Sequence, residues 1–561
     1  MKKPGWWHNG YKWVILITLL GTTSVFAQEA DAPAVAGSWI SILPPLLAIV
    51  MALVFRQVIP ALFLGLWLGA WAVRGFDFYG LWMGLLDSFQ VHLLNSFADA
   101  DKASIILFSL MIGGTVGIIS RNGGMHGIVR HIVRWADNAR HACIATATMG
   151  LAIFFDDYAN TLVVGNTMRP VTDSMRISRA KLAYLVDSTA APVACLFLVT
   201  TWIGYEVGLI GDALSFIPDL NAEAYLVFLS TIPFSFYPIL CIIFVFMIAW
   251  SGRDFGPMFK SEEHAQKFGS YSNQEDRNAM AEDCEPIEPM EGKPQRAINA
   301  IIPIFALVAG VMGGLYVTGL ASSELENPTL RDIIGAANSY TALMWGSLIG
   351  MVVAVLMTLT QRIMGLEEVV NAWYKGMRSM LYAMIILLLA WSLGGVTEIL
   401  QTAEFLVAVL GETLPVTMVP LLVFLLAAGT AFATGSSWGS MGILIPLVIP
   451  LTWAIMKING MAGPEDMHLL YSSIACVLAG SVWGDHCSPI SDTTILSSMA
   501  SGCDHIEHVR TQLPYALVVG IVALVAGTVP AAFGMPWWLC IVAGAGILLL
   551  VLRIFGKPQQ Q

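Results

Sequence analysis

The sequence predicts an all-α polytopic membrane protein made of two inverted-topology repeats, each with a re-entrant hairpin and a broken transmembrane helix. Three observations predict this class. Of the 561 residues, 57% are apolar and only 12% are charged, whereas soluble domains carry about 25% charged residues. Apolar runs of about 20 residues, the length that spans a bilayer, recur along the chain. The same order of apolar spans, polar turns and proline-containing breaks occurs twice.

The apolar runs define the predicted spans. In chain order these are 39–56, 58–74, 103–120, 182–213, 223–250, 297–319, 338–360, 381–399, 469–502, 513–533 and 536–553. Two further regions, 142–168 and 415–455, combine apolar arms with a polar centre. The segments 75–94, 127–140 and 367–380 are too mixed to span and predict interfacial amphipathic helices.

The N-terminal segment has the features of a secretory signal. Lysines precede the apolar run Trp13–Leu20, and small residues end it. This pattern predicts a signal peptide over 1–27, cleaved after Ala27. An uncleaved first helix is the alternative, and both place the following residues outside the cytoplasm.

Lysine and arginine are distributed unequally between the two sides of the membrane. The positions predicted inside are Arg56, Arg121, Arg130, Arg134, Arg140, Arg169, Arg176, Arg179, Lys181, Arg362, Lys375, Arg378, Arg510, Arg553 and Lys557. Those predicted outside are Arg74, Lys102, Arg331 and Lys457. This positive-inside bias holds only if 142–168 and 415–455 each enter and leave on one side, which predicts two re-entrant hairpins. We therefore expect a bacterial cytoplasmic (inner) membrane protein with the mature N-terminus outside and the C-terminus in the cytoplasm.

The two halves resemble each other in order and in motif. Asp187–Pro192 in the first half and Asp485–Pro489 in the second both run from a carboxylate through small residues to a proline. Because the first half enters from outside and the second from inside, the repeat is inverted; chance similarity of small residues is the alternative. The predicted parts are a first repeat (39–250), a cytoplasmic linker (251–296), a second repeat (297–533) and an additional C-terminal helix (536–553).

The stretch Gly484–Thr494 places two carboxylates, Asp485 and Asp492, at apparent bilayer depth. An unpaired ionised group there costs several kcal/mol. Pro489 and Gly484 predict a helix break that frees backbone carbonyls. Freed carbonyls and carboxylates make a cation site. We expect Asp485 and Asp492 to bind Na+, with Ser488 and Thr493 as further ligands.

The first hairpin turns at a pair of adjacent carboxylates, Asp156 and Asp157, followed by Asn160 and Thr161. Two close anions repel, so one tends to hold a proton or to share a cation. These four residues are predicted to bind ion or substrate; a solvated surface turn is the alternative.

The first broken span and the second hairpin complete the predicted site. Asp187, Ser188 and Thr189 are expected to supply a matching half-site, with Asp187 a third Na+ ligand. The second hairpin contributes the hydroxyls of Thr434, Ser436 and Ser437, for which close helix packing is the alternative role. His486 is more often simply hydrogen-bonded than a proton carrier. Glu206 is expected at the membrane interface.

Composition excludes several other classes of protein. The formal charge is −11 and no basic tract suggests nucleic acid as a partner. The eight cysteines form no C-x-x-C pair, so neither disulfides nor a zinc site is expected. The expected partners are the lipid bilayer and a small cation or small organic solute, with a homodimer left open and no cofactor.

Three motifs resemble the NhaC-type Na+/H+ antiporter family: Phe154–Asp173, Gly484–Ser498 and the shorter Thr434–Gly439. The resemblance covers most of 39–532. It implies the ion transporter superfamily, with inverted repeats, hairpins and broken helices, and Na+/H+ exchange without ATP. His486-Cys487 departs from the family pattern, which leaves the ligand details open. The alternative is a Na+- or H+-coupled carrier of a small organic acid or amino acid. A membrane aspartyl protease is not supported, because Val482-Trp483 replaces the Gly-x that should precede Gly484-Asp485.

Overall fold

The structure is a computed structural model. It describes residues 35–558 except 56, 135, 218, 221, 270–287, 324–327, 329–332, 334–335, 403–404, 406–407, 410–413 and 490. The predicted signal peptide and much of the linker therefore lie outside the described residues. Within them, nine helices are long and apolar enough to cross a bilayer, and one bent pair adds a tenth. The predicted all-α polytopic membrane fold is confirmed, while the inverted relation of the two repeats stays a prediction.

The helices of the first half precede the linker. They are α1 (Leu43–Phe55), α2 (Val58–Val73), α3 (Phe78–Asp87), α4 (Leu94–Ala98), α5 (Ala100–Arg121), α6 (Gly124–Val133), α7 (Ala139–Ala152), α8 (Asp157–Ser174), α9 (Arg179–Asp187), α10 (Ala191–Ala194), α11 (Ile203–Ser215), α12 (Ala224–Thr231) and α13 (Phe236–Ser251). A two-residue strand, β1 (Arg253–Asp254), and the linker helix α14 (Gly256–Phe268) follow.

The second half has the same kinds of elements. Its helices are α15 (Ile298–Ser322), α16 (Ser339–Thr360), α17 (Leu366–Ile399), α18 (Val419–Thr434), α19 (Ser437–Ile458), α20 (Met467–Cys487), α21 (Asp492–Ser501), α22 (His505–Val522), α23 (Val529–Ala532) and α24 (Trp537–Phe555). A strand β2 (Lys557–Pro558) pairs antiparallel with β1.

A helix-turn-helix forms at each predicted hairpin turn, but its re-entrant course stays a prediction. The two arms around the second turn are each long and apolar enough to cross a bilayer. The first hairpin consists of α7 and α8, and the second of α18 and α19. Each second arm begins at a side-chain cap: Asp156 accepts from Ala159 N at 2.6 Å, and Ser436 accepts from Gly439 N at 3.2 Å. Such caps satisfy backbone N–H groups that a helix start leaves free. The polar turn residues therefore have a local structural role as well as any functional one.

Both predicted breaks form as well: the first break lies between α9 and α10, at 188–190, and the second break lies between α20 and α21. The first span is interrupted again at 195–202, between α10 and α11. One detail of the prediction is wrong: Gly484 does not loosen the chain, because α20 continues to Cys487. A Cβ at Gly484 would lie 2.1 Å from Ala428 O of α18. This glycine instead allows two helices to approach closely.

Two predicted boundaries also differ. The segment 367–380 is not a separate interfacial helix but the start of the 34-residue α17. Gly376 lies inside it where the helix packs on α5, and a Cβ there would be 2.2 Å from Gly113 O. Conversely, the single span predicted over 223–250 bends by 49° at Ser235. Pro233 and Pro238 flank this bend and remove backbone donors.

The linker helix α14 docks under the start of α9 through buried polar contacts. Glu262 Oε1 accepts from Ser178 N at 2.8 Å and from Ser178 Oγ at 2.5 Å. Next to them, Lys181 Nζ lies 2.7 Å from Asp254 Oδ2, and both residues are buried. Tyr515 OH donates to Asp254 Oδ1 at 2.9 Å. The linker thus contacts both α9 and α22.

The docking of α14 is expected to weaken as the pH rises through about 7. Burial raises the pKa of Glu262 to about 7, against a lowering effect of Lys181. A raised carboxyl pKa means that the docked state favours the protonated form, so this contribution is present at low pH and lost as the proton leaves. Hydrogen–deuterium exchange of 256–268, corrected for its intrinsic pH dependence, should show this loss. Glu262→Gln should remove it, whereas the exposed neighbour Glu263→Gln should not; equal pH dependence in all three proteins would contradict the expectation.

Candidate functional site

The first hairpin and the first break are joined by Asn160. Its Nδ2 donates to Gly150 O at 2.7 Å and to Thr189 O at 2.8 Å. The hydroxyl of Thr189 donates within its own helix, to Leu185 O at 2.7 Å. The amide nitrogen of Asn160 thus satisfies a carbonyl that the break frees, while its Oδ1 and the Thr161 hydroxyl have no hydrogen-bond partner among the described residues.

The second hairpin and the second break are joined in a similar way by Ser488. Its hydroxyl donates to Phe432 O near the end of α18, at 2.7 Å. Ser491 caps α21, and its hydroxyl lies 2.9 Å from that of Thr493. Each break is therefore held to the hairpin of its own half by a side-chain-to-carbonyl hydrogen bond.

The two halves meet at the breaks. Tyr158 OH of the first hairpin donates a hydrogen bond to Asp492 Oδ2. α21 packs against both α8 and α9. Asp492 lies in the first turn of α21 and its other oxygen accepts from Thr493 N at 2.8 Å. A carboxylate at a helix N-terminus is stabilised by the free N–H groups and the helix dipole.

Asp485 and Asp157 have carboxylate oxygens that accept no hydrogen bond from the described residues. Asp485 Oδ2 accepts from Thr493 Oγ1 at 3.1 Å, but its Oδ1 has no hydrogen-bond partner among the described residues. Neither oxygen of Asp157 has one. Both side chains are 1% exposed, and both lie within electrostatic range of Asp492. Two buried carboxylates and one half-buried carboxylate are thus grouped around the second break and the first hairpin.

The surroundings of these three carboxylates contain no ion pair with Lys or Arg among those recorded for the described residues. In the described part of the chain, the ion pairs made by Lys and Arg involve other carboxylates, and none reaches Asp157, Asp485 or Asp492. A carboxyl group in such a position must either be protonated or be paired with a cation or another partner.

Asp187 has different surroundings: three side chains donate hydrogen bonds to it, from Gln512, Ser497 and Thr494, and two histidine rings lie nearby. Its oxygens lie near Gln512 Nε2 (2.6 Å), Ser497 Oγ (3.2 Å), Thr494 Oγ1 (3.3 Å), His508 Nε2 (3.4 Å) and His486 Nε2 (3.8 Å). These groups leave few lone pairs of Asp187 for a cation. Across the described residues, no three His, Cys, Asp or Glu side chains are grouped as a metal site. A role of Asp187 as a third Na+ ligand stays a prediction.

The remaining predicted residues lie at the edges of this group. Ser188 Oγ is 3.2 Å from His486 Nε2. The hydroxyl of Thr434 donates to the carbonyl one turn earlier in its own helix, at 2.8 Å. Ser436 caps α19 and also interacts with Tyr382, which lies within electrostatic range of Asp485 and Asp492. Ser437 is buried at the start of α19.

Several residues of the site were not predicted from the sequence. They are Tyr158, Tyr237, Tyr382, His508 and Gln512. Tyr158 lies inside the hairpin motif, and Tyr237 OH is 2.6 Å from His486 Nδ1. His508 and Gln512 are four residues apart on one face of α22. Two polar residues at this spacing in an apolar span indicate a polar helix face, and this pattern could have identified both residues from the sequence.

The comparison with known families matches this architecture. The family model described as the Na+/H+ antiporter family matches residues 193–529. The chain belongs to the Na+/H+ antiporter family. This member is therefore a multi-pass membrane antiporter and not an enzyme.

Individual proteins similar to this antiporter differ in coverage. An uncharacterized protein of Haemophilus influenzae is 33% identical over 85% of this chain and 88% of its own length. The arginine/ornithine antiporter ArcD of Halobacterium salinarum is 36% identical over 20% of each chain. The YdaH transporter of Alcanivorax borkumensis has a similar fold, with a TM-score of 0.54 and 17% identity over 81% of this chain and 90% of that one.

Proposed function

We propose that this antiporter exchanges Na+ for H+ by alternating access, with both ions competing for Asp485 and Asp492. One observation carries the proposal: Asp157, Asp485 and Asp492 are grouped in the protein interior without a Lys or Arg partner in the described part of the chain. Removing an ionised carboxylate from water without compensation costs several kcal/mol. Bound Na+ or bound protons supply that compensation.

The proposed Na+ ligands are all oxygens. Asp485 Oδ1, a carboxylate oxygen of Asp492 and the Thr493 hydroxyl lie on the two sides of the second break. The last turn of α20 places the negative end of the helix dipole at the break, which attracts a cation. Two of its carbonyls already accept hydrogen bonds, Asp485 O from Ser488 N at 2.9 Å and His486 O from Gln512 Nε2 at 2.8 Å. Broken transporter helices bind Na+ with this combination of groups.

Competition for one set of carboxylates would couple the two fluxes. A proton on Asp485 or Asp492 removes the charge that holds Na+, and bound Na+ disfavours protonation by the same free energy. The apparent Na+ affinity should therefore rise with pH until the carboxylates are mostly ionised. Asp157, at the turn of the first hairpin, adds negative charge near the site. This charge favours the binding of Na+ and the binding of a proton alike.

Purified protein in proteoliposomes provides the test. An imposed pH gradient, acidic inside, should drive Na+ uptake and should dissipate faster when Na+ is present outside than when choline replaces it. The same vesicles should show no added dependence on an organic solute. If the gradient dissipates only when arginine, ornithine or a small organic acid is supplied, Na+/H+ exchange is rejected.

A carrier of a small amino acid or organic acid is the second candidate. The similarity of one fifth of the chain to an arginine/ornithine antiporter supports it. The vesicle assay distinguishes the two candidate functions. If the protein carries an organic solute, proton flux requires that solute, and Na+ alone does not support it. We also propose a bacterial cytoplasmic membrane location with the C-terminus inside, from the distribution of Lys and Arg.

A further inference from the structure

Glu206 does not lie at a water-exposed interface, as the sequence suggested, but inside the protein. It is 0% exposed, on α11, and both carboxyl oxygens lack a hydrogen-bond partner among the described residues. An ionised carboxylate without partner or water would be strongly unfavourable here. Burial without a partner thus favours the protonated form of Glu206.

Among the described residues, no charged side chain pairs with Glu206. α11 packs against α5, α12, α17 and α19. The titratable side chains on or beside these helices include Asp101, Lys102, Tyr205, Asp212, Glu223, Tyr225, Glu367, Glu368, Tyr374, Lys375, Arg378, Tyr382, Glu398 and Lys457. None of those described forms an ion pair or hydrogen bond with Glu206; on its own helix, Asp212 is paired with Lys102 at 2.5 Å. A proton is the simplest group that could neutralise this carboxyl.

Glu206 is connected in space to the first hairpin. Thr201 N donates to Phe155 O at 2.9 Å, which fixes the start of α11 at the hairpin turn. Trp202 lies beside Asp157 there, and Glu206 follows four residues later on the same face of the helix. That spacing is about 6 Å along the axis. The Cys195 thiol lies within electrostatic range of both carboxyl groups.

Polar side chains at the start of α11 approach the carboxylates of the hairpin turn. Trp202 interacts with Asp157 and Thr201 with Asp156, whereas the oxygens of Glu206 have no hydrogen-bond partner among the described residues. Buried polar groups are normally paired with protein or water. Trp202 and Thr201 therefore link the helix that carries Glu206 to the two carboxylates of the hairpin turn.

We propose that Glu206 is a second proton-binding carboxyl of the antiporter, separate from the Na+ site and connected to it through Asp157. The inference rests on the proposed function for the role of the bound proton, but the protonation of Glu206 itself does not depend on which solute is exchanged. In the transport cycle the proton leaves Glu206 Oε for the carboxylate of Asp157 or its water, and returns after Na+ is released. Glu206 is thereby a carrier of H+ and not a ligand of Na+.

Infrared difference spectroscopy tests the proton site directly. The wild type should show the C=O band of a buried, protonated carboxylic acid that Glu206→Gln lacks. Glu223→Gln, at the partly exposed start of α12, should keep that band. If Glu206→Gln leaves the carboxylic-acid region unchanged, Glu206 is ionised and the proposal is wrong, whether or not the protein exchanges Na+.

Transport measurements test the role of that proton. Glu206→Gln is expected to keep Na+ affinity at alkaline pH within about twofold but to lower the number of protons exchanged per Na+, measured from reversal potentials. Glu206→Asp should retain proton coupling with a shifted pH profile. A tenfold loss of Na+ affinity would place Glu206 in the cation site, and an unchanged stoichiometry and pH profile would show that its proton is not transported; either result overturns the proposal.

Discussion

Replacing Asp485 by Asn is expected to lower the apparent Na+ affinity by at least tenfold and to remove its pH dependence. Asp485 Oδ1 is buried and has no hydrogen-bond partner among the described residues. A charged hydrogen-bonding or ligand contact contributes about 1.5–3 kcal/mol, which corresponds to roughly 10–100-fold in affinity. Asparagine keeps the shape of the side chain but loses the charge for which Na+ and H+ compete. Na+ binding to purified protein should be measured from pH 6 to pH 9.

A matched variant separates charge at the site from charge elsewhere on the same helix. Asp466→Asn lies immediately before α20, at the opposite end from Asp485, and its side chain does not cap the helix. It should bind Na+ like the wild type. Wild-type affinity and pH dependence in both Asp485→Asn and Asp492→Asn would instead make the second break a structural kink, with Na+ bound elsewhere.

Asp157→Asn is expected to abolish Na+-dependent proton flux without loss of expression or thermal stability. The carboxylate is 1% exposed and neither oxygen is hydrogen-bonded to a described residue. Neutralising a buried charge that has no ion-pair partner removes a desolvation cost. The substitution should therefore not lower the stability of the folded state. Flux in proteoliposomes and the melting temperature in detergent should be compared for the same preparation.

Two other carboxylates of the same hairpin arm are compared with Asp157→Asn. Asp156 caps α8, and asparagine is an equally good cap, so Asp156→Asn should fold normally and either lose flux or shift its pH profile. Asp173, on the same helix, is paired with Arg179 at 3.1 Å. Asp173→Asn should keep its flux. Normal flux in both Asp156→Asn and Asp157→Asn would assign the pair to a solvated turn.

The sequence predicted the local features of this fold well. Pro489, preceded by Asp485 and followed by Asp492, indicated a helix break, because proline removes a helical hydrogen bond. Carboxylates within a membrane-length apolar segment indicated a functional site, because their burial there is energetically costly. The polar turns at Asp156 and Ser436 were also recognisable in the sequence, whereas the same-sided course inferred from the positive-inside pattern stays a prediction. Both inferences use information that is close in the chain or summed over it.

The features that were missed depend on contacts between distant segments. Gly484 and Gly376 allow close helix packing, which cannot be distinguished from local flexibility by a glycine alone. Gln512 donates both to Asp187 and to His486 O, 2.8 Å away, and so links the two breaks from a third helix. Burial of Glu206 likewise depends on the four helices that surround α11. No periodicity in the sequence specifies these partners.

The uncompensated carboxylates of Asp157, Asp485 and Asp492 have a consequence for slippage, the return of an empty carrier. With neither Na+ nor H+ bound, reorientation would move unbalanced negative charge through a medium of low dielectric constant, where its energy is highest. That barrier is lowered when a cation or protons neutralise the group. An arrangement that lacks a resident lysine or arginine in the described part of the chain thus makes the proposed exchange obligatory: the ion being carried also supplies the charge that permits the carrier to turn.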